Sequence, residues 1–380
     1  MTTLFDTMPR DDVGPARYGE SAFPYCNRTA RRDFNHIRTQ LESWFSRYPL
    51  QFRADLRARF RSVNDVQHDA AFFELVLHEL LSRLGYALEN HPVIPGTSNR
   101  PEFLATSADG TSLYIEAKVA SGCSDREYAA RAHLNELYRE LHALDSSDYW
   151  INIEIDRLPH KRIPLKRFRA FVYDKLSELR QDQILHRPVL SDLCTAPRWN
   201  FQYDGWSVTL IPLPKLNVRD KARSALGVQT YGLHRIDPTG PICAAILKKA
   251  KHYGQLDRPF LVAINALGDF VDDSHIEDAL FGSPALVSRF PGDELHWKRE
   301  SNGVWNRPLG QYRRVGAVLI CRKLHLWNLA TANVRLYHHP SSSMPITGAI
   351  LRLPQAIVES GRLRKLEGES LGKILNIDTG

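Results

Sequence analysis

The stretch from Phe72 to Lys118 constrains the fold most, because its apolar pattern changes from helical to alternating within one short segment. Phe72, Leu75, Val76, Leu80 and Leu84 recur at helical spacing, and Gly85 stands where a helix usually stops. Tyr86 to Glu89 reads as a first strand. His91 to Arg100, with two prolines and a glycine, reads as loop, and Phe103 to Thr106 as a second strand. Asp109-Gly110 is a hairpin signal. In the returning strand Leu113, Ile115, Ala117 and Val119 share one face, so Tyr114, Glu116 and Lys118 share the other.

Register adds a condition. A two-residue loop at Asp109-Gly110 would set Glu102 opposite Ala117, on the face away from Glu116 and Lys118. A loop of odd length or a bulge slips the pairing by one and brings Glu102 beside Glu116 or Lys118; that slip is expected here. With Glu74 on the preceding helix, three carboxylates and an amine then converge. Hard oxygen ligands suit Mg²⁺ or Mn²⁺, and a lysine beside them can position a water or stabilise an anionic transition state.

Glu102 behind Pro101, followed by Glu116-Ala117-Lys118, resembles the PD-(D/E)xK nuclease superfamily, and no other acid-x-Lys triplet occurs in the chain. The helix FELVLHELLSRLGY is similar to the opening helix of the Mrr-type restriction endonucleases of that superfamily. The resemblance covers about Phe72 to Ile155. It implies a metal-dependent endonuclease hydrolysing DNA, with a role in restriction or phage defence. Glu74, Glu102, Glu116 and Lys118 would be catalytic, and Glu102 and Glu116 would hold Mg²⁺ or Mn²⁺. The family's usual Asp is replaced by Glu102, one methylene longer. That change would shift the metal or accompany a lost activity. Two other readings stay open: an inactive nucleic-acid-binding protein on the same fold, and an unrelated α/β enzyme.

The implied fold class is α/β, a restriction-endonuclease-like mixed sheet flanked by helices. Residues 1–64 would form an N-terminal arm and helices, 65–214 the nuclease-like core, and 215–380 a C-terminal α/β elaboration packed on the same sheet. Ser124 to Leu144 reads as a helix and Tyr149 to Ile155 as the next core strand. Ile242 to Tyr253 reads as a helix, and Phe260 to Asn265 as an apolar strand fit for a sheet centre. Asp269, Asp272 and Asp273 are assigned to a helix start, with Ser274 and Glu277 as a capping box, rather than to a metal.

With 380 residues, 43% hydrophobic and 24% charged, the chain can bury a large core. A net charge of +7 fits a polyanion partner, DNA with RNA not excluded. Arg126 and Arg131 on one helix and Lys248, Lys249 and Lys251 on another are the candidate nucleic-acid contacts. Arg53, Arg57, Arg59 and Arg61 form a further basic segment whose rival reading is a solvated helix face. A homodimer or a defence-system partner is compatible with this reading. Five scattered cysteines suggest neither zinc nor disulfides. Without a signal-like N-terminus or an apolar membrane span, the protein is expected in the cytoplasm, with no membrane partner.

Overall fold

A computed structural model of the chain describes residues 2–17, 19–121, 125–146, 148–155, 161–179, 196–215, 224–231, 237–254, 256–268, 270–287, 296–306, 312–360 and 362–377, with backbone alone at 125–129, 131 and 228–231. Its beginning is helical: α1 (Ala22–Arg28), α2 (Arg32–Arg47), α3 (Arg53–Phe60) and α4 (Asp65–Arg83). Asn64 caps α4, its side chain accepting from the Val66 N–H at 3.0 Å. Beyond that cap nearly every side chain from Ala71 to Leu81 is buried, because the helix is apolar around most of its circumference. The acids Glu74 and Glu79 are therefore carried into the interior with it.

Strands β1 (Ala87–Asn90), β2 (Phe103–Thr106) and β3 (Ser112–Ala120) form an antiparallel meander. Phe103 pairs with Ile115 and Ala105 with Leu113. The turn is tightened by Gly110 N–H to Ser107 O at 2.9 Å, with Gly110 at φ +84°, a conformation that glycine adopts without strain. Ser107 faces Thr111 across it, so the loop has three residues rather than two. This odd loop is the expected slip: continued by one step, the pairing sets Glu102 opposite Glu116.

The next elements are α5 (Asp125–Ala143), β4 (Tyr149–Ile155), α6 (Leu165–Glu178), β5 (Trp199–Tyr203), β6 (Trp206–Pro214) and β7 (Leu226–Tyr231). They overturn one expectation. β4 does not join β3; it lies in a separate sheet of order β5-β6-β4-β7. Its Ile151, Ile153 and Ile155 share a core with Leu137 and Leu141 of α5 and Phe168 and Val172 of α6. Residues 15–20 and 123–236 thus make one compact unit, and residues 1–14, 21–122 and 237–380 another. These limits replace the divisions expected at 64 and 214. The first unit is, in sequence, an insertion into the second.

After the insertion come α7 (Gly240–His252), β8 (Phe260–Ala266), α8 (Asp273–Phe281), the ribbon β9 (Pro284–Val287) and β10 (His296–Arg299), β11 (Val315–Arg322), β12 (Asn333–His338), β13 (Gln355–Glu359), β14 (Arg362–Leu366) and α9 (Leu371–Leu375). Among the described residues one mixed sheet of eight strands runs β1-β2-β3-β8-β11-β12-β13-β14. β8, buried at all seven positions, lies parallel to both β3 and β11. The C-terminal strands extend the sheet rather than pack on it.

Alternation along the strands feeds two cores. Phe103, Ile115, Leu261 and Leu319 meet α4 on one face, and Tyr114, Phe260, Val262 and Ile320 meet Ile242 and Ile246 of α7 on the other. α8 is capped by Asp272, which accepts from the His275 N–H at 3.0 Å, and not by the expected Ser274. The basic segment before α4 is held internally. Arg53 donates to Tyr48 O, Arg57 to Thr3 O, Arg61 to Leu4 O, and Arg59 to Glu74. Among the described residues no helix is long and apolar enough to cross a membrane.

Candidate active site

The candidate acids reach one region from both faces of the large sheet. Glu74, 3% exposed, comes from α4; Glu116, 2% exposed, projects from β3 toward α7. Glu102 sits just before β2, where the ladder ends. Its carboxylate lies within 4.8 Å of a Glu74 oxygen and interacts electrostatically with Glu116 as well. Lys118, two residues beyond Glu116, shares that acid's face by strand alternation.

Partners on the two buried acids are specific. Tyr48 OH donates to Glu74 Oε1 at 2.5 Å and Arg59 Nη1 donates to Oε2 at 2.8 Å. Asn90 Nδ2 in turn donates to Tyr48 OH at 2.9 Å. On the other face, Lys249 Nζ donates to Glu116 Oε1 and Tyr253 OH to Oε2. Both phenols are pushed up, first by burial and then by the carboxylate each one faces, so they remain donors at any ordinary pH. Among the described residues Glu102 has only His91 near it in ion-pair range, with Nδ1 at 3.6 Å from Oε2. Burial first, then the carboxylates of Glu74 and Glu116, push Glu102 up to about 8 against the pull of Lys249 and Arg59.

Glu74, His91 and Glu102 are placed so that they could hold a metal ion. A positive ion would offset both the burial of Glu102 and the repulsion from its neighbouring carboxylates. Among the described residues the buried Asn90 Oδ1 has no hydrogen-bond donor. Glu102 and Glu116 are the expected ligands. Glu116 would have to share its oxygens with Lys249 and Tyr253.

Four of these residues, Tyr48, Asn90, His91 and Tyr253, were not singled out by the sequence, and Lys249 was assigned elsewhere. Ile242, Ala245, Ile246, Lys249 and Tyr253 follow one helical stripe, so a lysine at a core-facing position was the available signal. Lys248 and Lys251 are exposed, whereas Lys249 turns inward; the three do not present a common basic face. Arg126 and Arg131 belong to α5, but their side chains lie outside the described residues.

No protein-family model, curated protein or solved structure matches the chain.

Proposed function

We propose that the chain is a metal-dependent nuclease that hydrolyses DNA phosphodiester bonds on a PD-(D/E)xK-type core made of α4, β1, β2, β3, α7 and β8. The carrying observation is the convergence of Glu74, Glu102 and Glu116 beside Lys118. The order helix, antiparallel meander, helix, parallel strand supports it, once residues 123–236 are taken as an insertion. A role in restriction or phage defence follows from the Mrr-type resemblance of α4.

Bound Mg²⁺ or Mn²⁺, held by Glu102 and Glu116, would neutralise phosphoryl charge and supply a water of lowered pKa. The Lys118 ammonium orients that nucleophile and stabilises charge developing on the phosphate. Arg59 and Tyr48 hold the Glu74 carboxylate, leaving it to assist through a water or a second ion. Lys249 and Tyr253 do the same for Glu116.

A second reading, a nucleic-acid-binding protein without turnover, has its own observation. Both oxygens of Glu74 and of Glu116 already have protein donors, so the cluster is largely satisfied without an ion. Plasmid cleavage in Mg²⁺ and Mn²⁺, with a chelator control, separates the two. Lys118→Ala should keep metal and DNA binding yet lose about a hundredfold or more in cleavage, because its contribution lies in the transition state. Glu116→Ala should lose both metal and cleavage. Cleavage undiminished in chelator refutes the metal mechanism, and a Lys118→Ala protein that cuts like the parent refutes the assignment of the catalytic residues. DNA binding without cutting in either ion selects the second reading.

A further inference from the structure

We propose that His91 is a metal ligand, completing with Glu74 and Glu102 a mixed nitrogen–oxygen site that prefers a divalent first-row transition metal to Mg²⁺ or Ca²⁺. This rests on the metal-dependent reading of the same cluster and names the ion class it takes. One ligand atom from each of Glu74, His91 and Glu102 lies within 4.8 Å of the other two. Adjacent ligands of a small octahedral ion are about 3.0 Å apart, so the three side chains close on an ion by rotamer adjustments of an ångström or more. His91 and Glu102 are partly exposed, at 31% and 24%, which leaves an entry path.

Asn90 supports the set from behind. It is 7% exposed, and its Nδ2 is pinned to Tyr48 OH, which is itself bound to Glu74 Oε1. Through Tyr48 the amide helps to hold the Glu74 end of the set in place. Imidazole nitrogen in the set moves preference away from the all-oxygen ions, Mg²⁺ and Ca²⁺, toward transition metals.

His91 has φ +51°, a left-handed conformation that asparagine also tolerates, so His91→Asn removes the imidazole while keeping the backbone. The probe is Mn²⁺ alone, followed by titration calorimetry and by pulsed EPR for nitrogen coupling to the bound ion. The wild-type chain should bind Mn²⁺ with nitrogen coupling. His91→Asn should weaken Mn²⁺ tenfold or more, lose the coupling, and change Mg²⁺ affinity less than threefold. Wild-type Mn²⁺ binding with no nitrogen coupling, or equal affinity in His91→Asn, overturns the inference and leaves the nuclease reading standing. Nitrogen-coupled Mn²⁺ on a chain that cuts nothing keeps the inference and removes the nuclease reading. Failure to bind any Mn²⁺ overturns the inference and takes the metal out of that reading too.

Discussion

Two groups of acids in this chain have opposite fates. At the start of α8, Asp272 accepts from Ser274 and from the His275 N–H, which hold it down at about 2, while Asp273 pairs with Arg322 at 3.1 Å and Lys365 at 3.0 Å. Just before β2, Glu102 is pushed up to about 8 by burial and by two other carboxylates. The first group has acids whose nearest partners are donors. The second brings an acid up against other acids. Density of carboxylates along the sequence does not separate these cases; what faces each carboxylate does.

The largest expected difference between them is in turnover. Glu102→Asp withdraws a carboxylate by about 1 Å from surroundings fitted to the longer chain, so cleavage should fall, by about a hundredfold for a displacement of that size. Asp272→Asn should leave cleavage within twofold. Rates measured side by side decide it, and a rise with Glu102→Asp would mean the longer acid had displaced the metal.

A smaller effect should appear in stability measured in chelator. Lys249→Met strands the buried Glu116 and should cost about 3 kcal/mol by denaturant unfolding. Lys365→Met, which releases the half-exposed Asp273 and Glu277, should cost less than about 1 kcal/mol. Equal losses would break the contrast between the two groups.

The smallest effect is a slope. Folded Glu102 binds its proton more tightly than an unfolded glutamate of ordinary value 4.5. Its contribution is therefore full below pH 4.5 and is lost as the pH rises toward 8, by at most ~1.4 kcal/mol per unit. Asp272 runs the other way: its contribution is present above its ordinary 3.8 and disappears as the pH falls toward 2. Glu102→Gln should remove the upper limb of a stability–pH curve in chelator and leave the lower one. A curve unchanged by Glu102→Gln would deny the raised value.

Much of the site's frame was legible. Strand alternation put Glu116 and Lys118 on one face, and the need for Glu102 to join them required the odd loop that Ser107 to Thr111 provides. The all-apolar Phe260–Ala266 announced a sheet centre. The partner of each strand was not legible. Ile151, Ile153 and Ile155 alternate as well as any core strand, and nothing local tells which sheet will take them. Tyr48, Arg59 and His91 escaped for a similar reason: each is brought to the acids by helix packing or a proline-rich loop, which have no period to read. Lys249 was legible only by treating its charge as secondary to its place on an apolar stripe.

The placement of the insertion bears on how the molecule folds. Lys249 and Tyr253 meet Glu116 across 133 and 137 residues of chain. Relative to a direct crossover of ordinary length, closing a loop that long costs about 2 kcal/mol more in chain entropy. A segment with its own hydrophobic core removes most of that cost, because a folded insertion brings its ends within reach as a compact body. During synthesis the helix and meander carrying the three acids emerge first, the insertion next, and the neutralising helix after both. The contacts of highest sequence separation form late, so Glu116 waits for its lysine until the insertion has been made, whereas Glu74 meets Arg59 from the helix before it.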